Sequence, residues 1–169
     1  MPGDLAAAAL RMEVMDLVYA GQPSRAWRLG FRALYALLWL LDPLLRMIWL
    51  QSGLGNVIQV TIPGRSTGRP RRTLLGLLST GGEWYLGHPN GPSQWTRNLD
   101  AAGGRLQLAW PGQPPVSFRA DPLLPGPERD QVILATNQHP FPGDLIYRLG
   151  RRHVLAAGHY YRLELDAGE

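Results

Sequence analysis

The sequence contains no cysteine and no lysine, and these two absences narrow its possible chemistry. Without cysteine there is no disulfide framework, no zinc–thiolate site and no thiol nucleophile. All 17 basic side chains are arginines, which excludes Schiff-base catalysis and the lysine of a Walker phosphate loop. The 4 histidines are scattered, without the spacing or the acidic neighbours of a metal site, so we predict no metal site.

Few residues are charged, only 18%, while 45% are hydrophobic in a chain of 169 residues. This composition predicts one globular domain with a sizeable core. A net charge of +4 and a pI near 10.0 favour anionic ligands or surfaces. The N-terminus lacks the basic region of a secretory signal, so we expect a cytoplasmic protein. The apolar segment Ala33–Leu50 is interrupted by Asp42, Pro43 and Arg46, which disfavours a membrane span.

The region up to residue 51 has helical periodicity. We predict three helices in this region. The first covers Leu5–Tyr19, the second begins after an N-cap at Ser24, and the third covers Leu44–Leu50 after an N-cap at Asp42. The second of these helices has a broad apolar face and a narrow basic stripe formed by Arg25, Arg28 and Arg32. Such a helix can bind an anionic membrane surface or pack over a sheet, and packing is the arrangement we favour.

From residue 52 onward the pattern changes to short strands separated by turns. A short helix is predicted over Ser93–Ala102 and another over Pro127–Gln138. Strand-like runs occupy Val57–Ile62, Arg72–Leu78, Glu83–Gly87, Arg105–Trp110, Val116–Ala120 and Tyr160–Leu165. We therefore predict an α+β fold with an antiparallel, barrel-like sheet of about six strands. Residues 1–51 would form a helical extension and residues 52–169 the barrel domain, as one compact unit.

Two segments carry candidate binding chemistry. The turn Gly64–Arg72 combines two glycines, two hydroxyls and several guanidinium groups, a set that suits a phosphate or a polycarboxylate. A solvated hairpin tip is the alternative interpretation. Further along, Trp95 and Asn98 share one face of the short helix, where an aromatic ring and a carboxamide can stack on and hydrogen-bond a planar heterocycle.

Taken together, these two segments resemble the deazaflavin-dependent nitroreductase family of flavin-binding split β-barrel proteins. The resemblance covers about residues 50 to 120 and consists of two motifs in the same order and spacing as in the family. The matching residues are Gly64, Arg65, Gly68, Arg71 and Leu75 in the first motif, and Trp95, Asn98, Leu99 and Ala101 in the second. The family's lysine and proline are replaced here by Ser66 and Leu74.

The resemblance implies a split β-barrel that binds coenzyme F-420, an 8-hydroxy-5-deazaflavin with an anionic tail. Arginine guanidiniums and hydroxyls of the turn would hold the phosphate and tail, the following strand and an aromatic ring would flank the deazaflavin, and Asn98 would support the pocket. The implied cofactor-binding residues are Arg65, Ser66, Thr67, Gly68, Arg71, Arg72, Leu74, Leu75, Trp95 and Asn98. His88 and Tyr147 are the catalytic candidates, His88 as a hydrogen-bond partner or proton donor. A surface-loop histidine is the alternative interpretation of His88.

The implied reaction is hydride transfer from the reduced deazaflavin to a quinone, a nitro compound or another electron-poor acceptor. FMN is the alternative cofactor, and a non-catalytic barrel that binds a deazaflavin, FMN, haem or lipid is the alternative function. Nucleic acid is not expected as a partner, because the strands lack an array of aromatics for base stacking. An anionic membrane bound through the N-terminal helices is the second possible partner, beside the electron acceptor.

Overall fold

The computed structural model describes residues 23–135 and 143–166, which form six helices and seven strands. The helices are α1 (Arg25–Leu40), α2 (Asp42–Ser52), α3 (Gln94–Ala101), α4 (Pro127–Leu134), α5 (Gly143–Leu149) and α6 (Arg151–Ala157). The strands are β1 (Val57–Pro63), β2 (Pro70–Gly76), β3 (Leu78–Thr80), β4 (Glu83–His88), β5 (Arg105–Ala109), β6 (Val116–Pro122) and β7 (His159–Leu165).

All seven strands belong to one antiparallel sheet with the order β2-β1-β5-β6-β7-β4-β3. The two edge strands, β2 and β3, are consecutive in the chain and are joined only by Leu77. Because one residue connects opposite edges, the sheet must curl on itself into an open half-barrel. The predicted α+β class and split β-barrel architecture are therefore confirmed.

The sheet has one strand more than the six we predicted, because the run Arg72–Leu78 is divided. Gly76 still pairs with Val57 of β1, whereas Leu78 pairs with Tyr85 of β4. The chain thus leaves one edge of the sheet and joins the other at Leu77. Gly76 is the residue of this run that interrupts the leucines, and a single glycine does not predict that the chain changes its partner strand.

Alternating side chains along the strands enter two separate cores. Tyr161 of β7 lies in the barrel interior, while the adjacent Tyr160 faces the core beneath the helices. A Cβ atom on Gly87 would lie 2.2 Å from the ring of Tyr160, so this close packing requires glycine. The barrel interior consists of Ile58, Val60, Ile62, Leu86, Leu99, Leu106, Leu108, Phe118, Ala120, Tyr161 and Leu163.

The helical elements depart from prediction in several places. Ser24 caps α1 as predicted, with its Oγ accepting from Trp27 N. Asp42 is not the N-cap of α2 but its first helical residue, because α2 follows α1 after Leu41 alone. α4 ends at Leu134, and α5 and α6 were not predicted. The predicted helix over Leu5–Tyr19 lies outside the described residues.

Candidate functional site

The basic turn is a closed backbone loop between β1 and β2. Gly64 N donates to Arg69 O at 2.9 Å, and Gly64 O accepts from Gly68 N at 2.7 Å. Gly68 adopts a φ of 66°, in the left-handed region that glycine enters without steric cost. Thr67 contributes to the closure, since its Oγ1 accepts from Arg69 N at 3.4 Å. The loop presents Arg65, Ser66 and Thr67 to solvent.

Helix α3 is attached directly to this turn through Arg65. Its N-terminus is a capping box in which Ser93 and Thr96 bond each other's backbone N–H groups. Asn98 Oδ1 accepts from Arg65 N at 3.3 Å and from Arg65 Nη1 at 3.2 Å. Gln94 Oε1 accepts from the same Nη1 at 2.9 Å. The two motifs that carry the family resemblance therefore meet in the folded chain.

The arginines of the turn form an exposed cationic surface. Arg71 lies along the turn, because a Cβ atom on Gly64 would be 3.3 Å from Arg71 Nε. The carbonyl of Arg72 accepts from Arg46 Nη2 at 3.0 Å, which ties β2 to α2. Among the described residues, no carboxylate lies within salt-bridge distance of the guanidinium groups of Arg65, Arg69, Arg71 or Arg72. An anionic ligand would therefore meet no competing carboxylate here.

Both catalytic candidates lie in one group of rings, which we call the aromatic cluster: Trp95, His88, Tyr35, Tyr147 and Tyr161. The ring of His88 stacks on Tyr35 with centroids 4.8 Å apart and meets Trp95 at 6.5 Å. The hydroxyls of Tyr35 and Tyr147 are 3.3 Å apart. Trp95 also contacts Tyr161 at 5.8 Å. Tyr35 therefore connects His88 to Tyr147, although none of the three elements that carry them adjoins another in sequence.

His88 is buried, and its Nδ1 lies 2.9 Å from the carbonyl oxygen of Gly91. The backbone N–H of Asn90 also points at Nδ1, at 3.3 Å, and this contact requires the opposite tautomer. We assign the proton of the neutral imidazole to Nδ1 from the shorter contact to Gly91, and this tautomer leaves Nε2 as an acceptor. Burial lowers the pKa of His88 to about 4, so the ring is neutral at neutral pH. Of the two roles considered for His88, these properties favour the hydrogen-bond partner over the proton donor.

Two of the three tyrosines of the cluster, Tyr35 and Tyr147, lie near His88 and keep their protons over a wide pH range. Burial raises the pKa of Tyr35 to about 12, against the opposing effect of its hydrogen bond to Tyr147. Burial raises the pKa of Tyr147 well above its usual value, and the nearby Tyr35 and Tyr160 add to the shift. The phenols of the cluster are thus the groups that can hold a proton beside the neutral His88.

Trp95 carries a buried donor that has no partner within the described part of the chain. Its Nε1 is shielded from solvent yet makes no hydrogen bond there. An unsatisfied buried N–H costs roughly 1–3 kcal/mol. A ligand oxygen that accepted a hydrogen bond from Trp95 Nε1 would remove this cost. Leu75 packs on the same barrel core as Trp95. It belongs to the edge strand β2, whose outer side has no strand neighbour in the described sheet.

The structure brings the predicted residues into two groups that share α3. Arg65 of the turn meets Asn98, and His88 meets Trp95, which lies one helical turn before Asn98. Tyr147 joins the second group through Tyr35. Leu74 pairs with Gln59 in the middle of β2, between these groups in sequence. A surface groove beside the turn is lined by residues of β1, β2, β5 and β6 and by Asp166, and it includes only Gly68 from the predicted set.

Sequence reasoning missed three residues of this arrangement, Tyr35, Gln94 and Tyr161. Gln94 precedes Asn98 by one helical turn, so the i, i+4 spacing on α3 could have indicated that both face the same neighbour. Tyr35 had no such signal, because its contacts with His88 and Tyr147 join three separate elements.

No family model and no curated protein matches the sequence. Among solved structures, the chain is similar to an F-420-H2 dependent reductase at 18% identity, with 64% of this chain and 94% of that chain covered and a TM-score of 0.44. It is similar to HutZ, the haem storage protein from Vibrio cholerae, at 16% identity, with 76% and 92% covered and a TM-score of 0.49. A conserved hypothetical protein from Mycobacterium tuberculosis matches at 14% identity, with 74% and 80% covered and a TM-score of 0.47. The solved structures similar to this chain thus include an F-420-dependent reductase and a haem storage protein.

Proposed function

We propose that the chain is a deazaflavin-dependent oxidoreductase that binds coenzyme F-420 against the basic turn and the aromatic cluster. One observation carries the proposal: α3 holds the basic turn through Asn98 and presents the unsatisfied Nε1 of Trp95 one turn earlier. A single short helix thereby links a site for negative charge to a site for a flat, oxygen-bearing ring.

The residues present fit this cofactor in the chemistry of their donors. A deazaflavin has a planar ring with carbonyl oxygens and a side chain that carries phosphate and carboxylates. Within the described residues, the turn supplies guanidinium groups without carboxylate partners, and Trp95 supplies a buried N–H without an acceptor. Arg65, Arg71, Arg72, Ser66 and Thr67 would hold the anionic tail, Gly68 would allow it to approach the backbone, and Leu74, Leu75 and Trp95 would flank the ring.

The reduced cofactor, when bound, supplies a hydride to an electron-poor acceptor such as a quinone or a nitro compound. The chain's own residues provide position, shielding and a proton. Asn98 and Gln94 hold the Arg65 guanidinium in place for the tail. Neutral His88 would accept a hydrogen bond through Nε2 in the tautomer protonated at Nδ1, and the phenols of Tyr35 and Tyr147 retain their protons beside it.

The proposal is tested by fluorescence titration of the purified protein with oxidised coenzyme F-420 and, in parallel, with FMN, at low and high salt. We expect saturable F-420 binding that weakens with salt and in Arg65→Ala. The protein should then oxidise reduced F-420 when a quinone or nitro compound is supplied. Binding of neither ring would overturn the proposal. A preference for FMN would keep the site but replace the cofactor.

A non-catalytic protein that binds haem is the second candidate function, and the state of His88 supports it. In the tautomer whose Nδ1 donates to the carbonyl of Gly91, the neutral imidazole of His88 would have Nε2 available as a metal ligand, the arrangement that suits haem iron. Titration with haem, followed by its absorption spectrum, distinguishes the two candidates. Haem binding that is lost in His88→Ala, together with no affinity for F-420, would favour the second.

A further inference from the structure

The junction of α1 and α2 exposes a continuous set of large apolar side chains, which we call the elbow (residues 37–50). The helices meet here at an angle of 68°. Trp39 at the bend is 79% exposed, and Leu40 beside it is 69% exposed. The exposed apolar residues of the elbow are Leu37, Leu38, Trp39, Leu40, Leu41, Leu44, Met47 and Leu50. Monomeric proteins rarely present apolar patches of this extent without an interaction that uses them.

Both ends of the elbow are fastened to the rest of the fold. On the α1 side, Phe31 is buried in the core beneath the helices. On the α2 side, Trp49 is buried and its Nε1 donates to Val57 O at 2.8 Å, while Arg46 Nη2 donates to Arg72 O at 3.0 Å. Because both helices are held in place on either side of the elbow, its exposed apolar side chains cannot move onto the barrel without breaking these contacts.

The charge distribution around the elbow identifies the chemistry of its partner. The exposed face of α1 is basic in its first half, with Arg25, Arg28 and Arg32, and apolar in its second half. Arg32 and Leu40 are eight residues apart, about 12 Å along a helix. Basic side chains beside a set of apolar side chains are the combination with which interfacial helices bind anionic lipid. Asp42, the acidic residue of the elbow, is neutralised by Arg46 Nε at 2.6 Å.

We infer that the elbow inserts into the interface of a membrane that contains anionic lipids, with the arginines of α1 at the headgroups. No single helix in the described residues is long and apolar enough to cross a bilayer, and the inference requires none to do so. An exposed tryptophan at the tip is typical of the membrane–water interface. A second copy of the chain is a poorer partner. In such a dimer the arginines of one α1 would face either the arginines or the exposed apolar side chains of the other copy. The first contact is repulsive, and the second removes charged groups from water.

The test is co-sedimentation of the full chain with vesicles of phosphatidylcholine alone, or of phosphatidylcholine mixed with phosphatidylglycerol, at low and high salt. The tip variant is Trp39→Ser/Leu40→Ser, and the charge variant is Arg28→Glu/Arg32→Glu. The matched control is Leu124→Ser, because Leu124 is 81% exposed and lies outside the elbow. All the substituted side chains are exposed, so circular dichroism and melting should confirm that each variant folds.

We expect the wild type to sediment with the anionic vesicles and to be released by high salt. The tip variant should bind these vesicles about tenfold or more weakly, the charge variant should lose the preference for anionic lipid, and the control should behave as the wild type. Failure of the wild type to sediment, or tip-variant binding equal to wild type, would overturn the inference. A wild-type dimer and a monomeric tip variant in light scattering would also overturn the inference, since the elbow would then join two copies.

F-420 binding by the tip variant should be unchanged. The outcome for membrane binding is therefore independent of the outcome for the proposed function.

Discussion

Asn98 Oδ1 accepts two hydrogen bonds from Arg65, one from the backbone N at 3.3 Å and one from Nη1 at 3.2 Å. One carboxamide oxygen thus holds both the main chain and the side chain of the same arginine. The basic turn is thereby bonded to α3, while the side chains of Arg65, Ser66 and Thr67 stay exposed to solvent. This relationship makes the position of the Arg65 guanidinium depend on a residue of a different element.

The first prediction concerns that dependence. Asn98→Ala should weaken F-420 binding by about 1 kcal/mol, close to the value of one hydrogen bond, because Arg65 loses its support. Arg65→Ala should weaken it more, since a charged contact to the ligand is lost as well. In the double variant the two effects should not add. Fluorescence titration of the three variants gives the coupling energy.

Arg69→Ala is the matched control, because it removes the same charge from the same loop without touching Asn98. Its effect on affinity should be smaller than that of Arg65→Ala. Equal losses in both variants, or strict additivity in the double variant, would show that the turn acts through net charge alone.

The second prediction separates two glycines of the turn. In Gly68→Ala the added methyl group meets open space but the φ of 66° remains, so unfolding free energy should fall by about 1 kcal/mol. In Gly64→Ala the methyl group would approach Arg69 O at 3.2 Å and Arg71 Nε at 3.3 Å. We expect this variant to displace Arg71 and to lower F-420 affinity with a smaller loss of stability. Thermal melts and titrations of both variants measure this contrast.

The third prediction is a loss of stability in mild acid. The pKa of His88 is lowered to about 4 by burial, below the value of about 6.5 in the unfolded chain. Between about pH 6.5 and pH 4 the unfolded state therefore binds more protons than the folded state. The free energy of unfolding should fall by roughly 3 kcal/mol in total as the pH decreases through this range. The pKa of His153 is lowered in the same direction by burial. Denaturant unfolding at several pH values should show this slope.

His88→Phe is the informative variant, because it keeps an aromatic ring against Tyr35 but cannot be protonated. Its stability should change less between pH 6.5 and 4 than that of the wild type. An identical pH dependence in both proteins would assign the effect to other groups.

The fourth prediction tests whether Tyr35 shields His88. Tyr35→Phe retains the stacked ring, so the pKa of His88 should stay near 4. Tyr35→Leu removes the stacked ring and admits water, so the pKa should rise towards its ordinary value. Titration of the histidine ring protons by NMR, with His88→Phe to assign the signal, gives both values. A low pKa in Tyr35→Leu would mean that other elements bury His88.

Much of the local structure was predictable from the sequence. The turn at Gly64–Gly68 and the cap at Ser24 depend on residues a few positions apart, and the structure shows them as expected. The division of the strand at Leu77 was not predictable, because the single glycine before it, Gly76, does not predict that the pairing partner changes. The start of α2 at Asp42 was not predictable either, because it depends on how closely α2 follows α1, with Leu41 alone between them.

The sequence by itself determined the features that arise from periodicity and short-range bonding: the alternation of β1, the glycine turn, the absence of thiols and amines, and the arginine stripe of α1. The tertiary structure alone decided which distant residues meet. It placed Gln94 and Asn98 under Arg65 and inserted Tyr35 between His88 and Tyr147. It also left the elbow exposed while it buried Phe31 on the same helix α1. These outcomes depend on how the curled sheet and the helices pack together, and that packing energy is shared among residues far apart in the chain.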